Sequence, residues 1–371
     1  MRSEIKTAII MGVVIVGGIA GASLYFGSIE QQINQNNVNK QTHDAASLLN
    51  IDKSRFKKAP VLEGISGYIN TSPEELKQQL DGKVVLYDIW TYSCINCQRT
   101  LPYITAWNEK YSDKGLVIIG IHSPEFEFEK DIDNVKLAVE KFGIKYPVIL
   151  DNDKKIWDAF ENRYWPRKYI ADDEGYIRYD HIGEGAYDET EIVIQKLLKE
   201  RATRLGLNVA VAESLVDVEE FKHETRTPEL YFGYDFALGR NQIGNKEGFQ
   251  PEKSVAYVIP HSLKDNYYYL GGTWKNLKDR MVLISDSGTI VLSYFAKQVN
   301  IVAAGHAELE ILLDGKPISK QDSGTDVTYD GKVSTSTPTL YNLVNSDEVA
   351  KHTIQINVNK PGFEIYTFTF G

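Results

Sequence analysis

The sequence predicts an α/β domain followed by an all-β, jelly-roll-like sandwich, with a single N-terminal transmembrane helix ahead of both. Three observations carry this. An uncharged apolar run stands near the N-terminus, apolar runs alternate with helical patterns between residues 61 and 212, and short β-rich runs fill residues 227–371. The 371-residue chain is 42 % hydrophobic and 25 % charged, enough apolar content for sizeable cores in more than one domain. Its net charge of -10 leaves no basic stripe for a phosphate backbone, which argues against nucleic acid as a partner.

The apolar run, TAIIMGVVIVGGIAGASLYFG, extends from Thr7 to Gly27, close to the roughly 20 residues a helix needs to cross a bilayer. Arg2 and Lys6 precede it, and no Lys or Arg follows until Lys40. The positive-inside rule therefore makes residues 1–27 a cytoplasmic N-terminus and anchor in the cell membrane, with the bulk of the chain extracytoplasmic. A cleaved signal peptide is the competing reading, because Ala20-Gly21-Ala22 has the form of a processing site; against it, the run exceeds the roughly 7–15 apolar residues of a usual signal peptide. Residues 28–60, rich in Gln, Asn and Lys, read as a polar stalk.

Within residues 61–212, GISGYIN reads as a short strand. Ser72, Pro73 and Glu75 together mark a helix start. KVVLYDIW and GLVIIGIH read as central strands covered on both faces. The segment between them, from Cys97 to Gly115, reads as a helix with Pro102 in its first turns. Further expectations are a helix over Asp133–Phe142, a strand at YPVIL, a short helix over Lys154–Phe160 and a hairpin turning at Glu174-Gly175. A last helix follows Asp188, with Glu191 completing its cap. Residues 213–226 form a polar, acidic connector. The remaining runs, such as SVAYVIP and TIQINVN, are separated by Asp314-Gly315, Asp330-Gly331 and Pro361-Gly362.

The chain has two cysteines in all, Cys94 and Cys97, three positions apart after the strand KVVLYDIW. At a helix N-terminus the partial positive charge and free N–H groups stabilise a thiolate, so Cys94 is expected to have a lowered pKa and to attack. Cys97, one helical turn on, is placed to resolve a mixed disulfide. A zinc site lacks a second cysteine pair, and the seven histidines show no H-x3-5-H spacing. A structural disulfide within one helical turn constrains almost nothing. Peroxide reduction through a single cysteine is a further alternative. No metal and no cofactor is expected.

These residues resemble the thioredoxin superfamily: VVLYDIWTYSCINC is similar to its strand, tryptophan and C-x-x-C signature. The resemblance implies a buried carboxylate at Asp88 that assists proton movement at Cys97, with a hydrogen-bonded strand residue as the plain alternative. It also implies a cis-proline at Pro166, in YWPRKYI, opposite the cysteines. Trp165 would then line a substrate groove, although Trp90 and Trp165 fit a core equally well. SCINCQRTLPYITAWNEKY, YWPRKYIADDEGYIRYDHIGEG and FEIYTFTFG narrow the resemblance to the extracytoplasmic half of DipZ-type membrane thiol-disulfide exchangers. There a redoxin-like domain, akin to the TlpA type, precedes a sandwich resembling carbohydrate-binding modules.

The expected function is thiol-disulfide exchange with exported proteins, with electrons supplied by a separate membrane partner. The alternatives are a surface ligand- or carbohydrate-binding protein with a thioredoxin-like spacer, and a thiol peroxidase. Tyr267, Tyr268, Tyr269 and Trp274 in NYYYLGGTW are candidates for stacking on a glycan or for the sandwich core. His261, His306, Asp322 and Asp326 show no metal spacing.

Overall fold

The structure, a computed structural model, describes residues 52–221 and 225–371. The expected membrane anchor and the stalk up to residue 51 lie outside the described residues. Among the described residues no helix is long and apolar enough to cross a membrane. The end of the expected stalk is not free. Lys57 and Ala59 hydrogen-bond backbone to backbone with Ile177 and Gly175 at 2.9 and 2.8 Å, and Lys53 pairs with Asp172 at 2.9 Å.

The first domain is built on six strands: β1 (Gly67–Ile69), β2 (Val84–Trp90), β3 (Leu116–His122), β4 (Val148–Leu150), β5 (Arg167–Ala171) and β6 (Ile177–Ile182), in the order β1-β4-β3-β2-β5-β6. β2, β3 and β4 run parallel and the others antiparallel. Every residue of β2 is buried, as expected for a strand covered on both faces. Alternation sends Val84, Leu86 and Trp90 to one core and Val85, Tyr87 and Ile89 to the other. Asp88 therefore belongs to the face that carries Trp90.

Five helices cover the sheet: α1 (Pro73–Leu80), α2 (Ile95–Tyr111), α3 (Ile132–Lys141), α4 (Lys155–Ala159) and α5 (Tyr187–Leu205). α2, α3 and α5 pack on the Trp90 face, α1 and α4 on the other. The Ser72 hydroxyl caps α1 by accepting the Glu75 N–H. α2 continues through Pro102, and Gly115, at φ +107°, adopts the left-handed conformation that ends the following turn.

Glu191 departs from expectation. The cap position of α5 is Ala186, and Glu191 is instead a buried hub. Its carboxylate accepts hydrogen bonds from Trp107 Nε1 (3.1 Å), Lys110 Nζ (2.8 Å), Tyr111 OH (2.6 Å) and the Val216 N–H (2.9 Å). The expected connector is thereby strapped down: Val216 and Val218 pack on the first core, and Tyr103 OH donates to the Val218 carbonyl at 3.3 Å.

The second domain holds β7 (Leu230–Tyr231), the short helix α6 (Tyr234–Ala237), β8 (Ser254–Tyr257), β9 (Tyr268–Asn276), β10 (Met281–Leu283), β11 (Gly288–Ala304), β12 (Ala307–Leu313), β13 (Lys316–Pro317), β14 (Lys332–Thr335), β15 (Thr339–Val358) and β16 (Glu364–Phe370). In place of uniformly short strands, β11 and β15 run for 17 and 20 residues. Register shifts at Ala296/Gln298 and Val299/Asn300 interrupt their ladder, the kind of irregularity that bends a strand. The first half of β11 pairs with β9 and its second half with β16; β10 joins β9 to β16, so these four strands close a ring around the core.

Replacing Glu191 with Ala takes the acceptor from four donors, two of them buried, Trp107 Nε1 and Tyr111 OH, and is expected to destabilise the first domain by about 3–5 kcal/mol in denaturant unfolding. Burial pushes the Glu191 carboxyl up, but its hydrogen bonds outweigh this and hold it below the ordinary 4.5. The hub's contribution is therefore complete above that value and is lost as pH falls through the folded-state pKa. An unfolding midpoint that the substitution leaves unmoved at neutral pH would contradict the hub.

Candidate active site

Strand β2 ends at Trp90, and a turn over Thr91–Cys94 leads into α2. Cys94 is the N-cap of that helix, with extended backbone angles, and its sulfur accepts the Cys97 N–H at 3.2 Å. This is the cap geometry in which Ser or Asp usually supplies an oxygen. Cys94 is half-buried, Cys97 is buried, and both are free thiols.

The expected depression of the Cys94 pKa is reversed. Burial pushes this thiol up, the bonds from Cys97 pull it down, and the nearby carboxylates of Glu229 and Glu125 push it up again. Desolvation of a thiolate outweighs the favourable helix terminus. Burial raises Cys97 further still, and donation to Cys94 adds to it. Cys94 therefore ionises first.

Alternation in β2 brings Asp88 to the face that carries α2. It is fully buried, neither carboxylate oxygen has a hydrogen-bond partner among the described residues, and its charge acts on Cys97. Burial pushes its carboxyl up to about 6, with Lys168 opposing. Lys168 lies directly across the ladder from Asp88 and is itself buried, which lowers its pKa. Trp90 is fully buried in the core, edge-on to His122 at 5.4 Å. Tyr92 N–H donates to His122 Nε2 at 3.4 Å, and burial lowers that imidazole to about 3, so it is neutral. The Trp165-Pro166 peptide is cis. Pro166 precedes β5, whose first residue pairs with Ile89, so it sits at the sheet end that carries the cysteines. Trp165 is half-buried, leans on Trp157 at 4.2 Å and donates from Nε1 to the Ser123 carbonyl at 2.9 Å.

The second domain docks on this same end. Ile95, between the cysteines, packs with Phe126 and Phe128 against Tyr231, Phe236 and Tyr366. Tyr92 OH donates to the Pro338 carbonyl at 3.2 Å, and Arg99 Nη2 donates to Gln298 Oε1 at 3.3 Å. Glu129 ties the loop after β3 to the cysteine turn: it accepts from Ser93 Oγ at 2.6 Å and from the N–H groups of Glu125 and Phe126 at 2.6 and 2.9 Å.

Sequence reasoning missed Lys168, Glu125, Glu129, Glu229 and Tyr231. A lysine inside the apolar alternation of RKYIA was a readable signal for Lys168. The others carry none: the loop after β3 folds Glu125 and Glu129 back to the cysteine turn, and domain docking brings Glu229 and Tyr231 there. Of the aromatic cluster, Tyr268 and Trp274 join the second core, as the core alternative expected, and Tyr269 is buried with its hydroxyl accepting the Lys264 N–H at 2.8 Å.

Residues 58–195 match the Redoxin family, and residues 227–371 match the family described as Thioredoxin like C-terminal domain. Protein DipZ of Mycobacterium tuberculosis is 33 % identical over 363 residues, covering 94 % of this chain and 49 % of that protein. The chain thus spans about half the length of the DipZ proteins it matches. Thiol-disulfide oxidoreductase YkuV of Bacillus subtilis is 30 % identical over 142 residues, 38 % of this chain and 94 % of that protein. Thiol-disulfide oxidoreductase ResA of Bacillus thuringiensis is 30 % identical over 123 residues, 33 % of this chain and 68 % of that protein.

Iodoacetamide is expected to modify Cys94 in the reduced folded chain and to leave Cys97 intact until denaturant is added. Tandem mass spectrometry of the peptide holding both thiols reads the order directly. Equal labelling of the two would contradict the burial difference.

Proposed function

The chain belongs to the thioredoxin-like redoxin family, and from that premise we propose that it is a membrane-anchored, extracytoplasmic thiol-disulfide oxidoreductase acting on exported proteins. The observation that carries the chemistry is the Cys97 N–H donated to the Cys94 sulfur at the start of α2, with the nearby buried Asp88 carboxylate lacking a hydrogen-bond partner among the described residues. The Thr7–Gly27 run supports the anchor, and residues after it are then extracytoplasmic. DipZ, YkuV and ResA support the reaction class.

In this reading the Cys94 thiolate attacks one sulfur of a substrate disulfide. A mixed disulfide forms and the other substrate sulfur leaves as a thiolate that takes up a proton. Asp88 then accepts the Cys97 proton, directly or through water, and the Cys97 thiolate attacks the Cys94 sulfur. The second substrate thiol is released and the Cys94–Cys97 disulfide remains. Two electrons and two protons have passed to the substrate, and an external dithiol restores the pair. A raised pKa at Cys94 is compatible with this, because nucleophilicity per thiolate rises with pKa. Trp165 and the cis-Pro166 form the wall against which a substrate strand lies.

Two measurements test the proposal. Cys97→Ser is expected to accumulate mixed disulfides with exported proteins, resolved on non-reducing gels; an empty trap together with no cysteine-dependent disulfide reduction would sink it. The decay of a preformed mixed disulfide should quicken as pH rises through about 6, where Asp88 ionises. Asp88→Asn should abolish that limb and slow the decay by about 10²-fold, the lower range for a lost general base.

A further inference from the structure

The second domain does more than cover the cysteines. Tyr231, on β7, reaches across the domain boundary to two carboxylates. Its hydroxyl lies 2.8 Å from Glu125 Oε1 of the first domain and 3.2 Å from Glu229 Oε2 of the second. A phenol has one proton to donate. If both carboxylates were ionised, one of them would face the phenol's lone pairs while repelling the other across it. The short contacts are satisfied together when Glu125 or Glu229 carries a proton and donates it to the phenol oxygen, which passes its own to the other. Three oxygens then hold two protons and one negative charge.

The surrounding cations favour ionised carboxylates here, but burial outweighs them. Glu129 faces Glu125 from the loop after β3 and is itself occupied with Ser93. Lys154 acts on Glu125 but lies over the Trp165 ring at 4.5 Å. Arg240 acts on Glu229 and lies over the Tyr231 ring at 4.6 Å. Farther out, a cleft of about 620 Å³ between the domains carries mixed charges: Lys130, Lys278 and Arg280 against Glu127, Asp153, Asp235 and Asp279. On the other side both carboxylates act on Cys94, whose further charged neighbours are Arg99 and the buried Lys168.

We propose that Glu125 and Glu229, bridged by Tyr231, hold one shared proton beside Cys94, and that its loss places a second negative charge there which opposes ionisation of the thiol. The second domain thereby supplies a positioning residue, Glu229, to the thiol site of the first. The inference rests on Cys94 being the attacking thiol. Burial, then the neighbouring Glu229, raises Glu125 to about 8, and burial raises Glu229 as well, which agrees with a proton retained at neutral pH. Because both Cys94 and the shared proton come off at alkaline pH, their titrations are coupled.

The test is the pH dependence of Cys94 alkylation in the full chain, resolved by tandem mass spectrometry, for the natural protein, Glu229→Gln and Glu125→Gln. The natural profile is expected to be shallow or two-stepped. In either variant it should sharpen to a single ionisation, with rates about threefold higher near pH 9 and unchanged near pH 6.5, the modest size of a screened charge effect. Two variants from different domains guard against a folding failure in one. Superimposable profiles in all three proteins would overturn the proposal, as would a rise that is equal at every pH, which marks simple opening of the cleft. Alkylation needs no protein substrate, so this outcome is independent of whether the Cys97→Ser trap captures one.

Discussion

A sulfur atom at the first turn of α2 is held between two opposing effects, and the remainder of the site follows from how they balance. The Cys97 N–H and the helix terminus favour negative charge on Cys94, worth about 0.3–1 kcal/mol at an exposed terminus and up to about 2 kcal/mol when partly buried. Removal from water disfavours it, and burial shifts of several pKa units are known at about 1.4 kcal/mol each. The second effect is larger. Cys94 is consequently a thiol at neutral pH, with a small but strongly nucleophilic thiolate fraction. The order of events survives, because Cys97 is deeper and gives its hydrogen bond away. Two sets of acidic groups bear on this thiol pair: the buried Asp88, whose charge acts on Cys97, and Glu125 and Glu229, whose charges act on Cys94.

The second domain adds to the apolar surroundings of the cysteine turn. Phe126 and Phe128 on one side and Phe236 and Tyr366 on the other pack around the partly buried Ile95. The same docking brings the carboxylate of Glu229 to a thiol more than a hundred positions earlier in the chain. In water the charge would be screened within a Debye length of about 8 Å; in the cleft it acts on Cys94 with little screening. The connector supports this arrangement from behind, since Glu191 and the valines at 216 and 218 anchor it to α2 and α5. A domain hung on a loose linker would not keep a carboxylate in register with a sulfur.

Much of this was legible in the sequence wherever the chemistry is local. The Ser72 cap, the continuous burial of VVLYDIW and the placing of both cysteines at a helix start each depend on residues within one or two turns of one another. The hairpin turn at Gly175 is of the same kind. One misreading has the opposite property. Glu191 matched a capping pattern by spacing alone, but four donors from α2 and the connector meet its carboxylate instead. Spacing left NYYYLGGTW open between stacking on a ligand and a core; alternation on β9 turned toward a closed core and buried Tyr268 and Trp274. In the second domain short β-rich runs suggested short strands; bulges let β11 and β15 continue through a bend that no periodicity of two records.

What the sequence determined by itself was the reactive element: two sulfurs three positions apart, a helix to hold them, and a strand that carries Asp88 on the face beneath. Spacing along one chain segment decides these, because hydrogen bonds at a helix start and the alternation of a strand reach only a few residues. The tertiary structure decided the energetics. Whether Cys94 is acidic or not, and which carboxylates oppose its charge, depend on dielectric and distance, and both are set by a domain that contacts the cysteine turn only after the whole chain has folded.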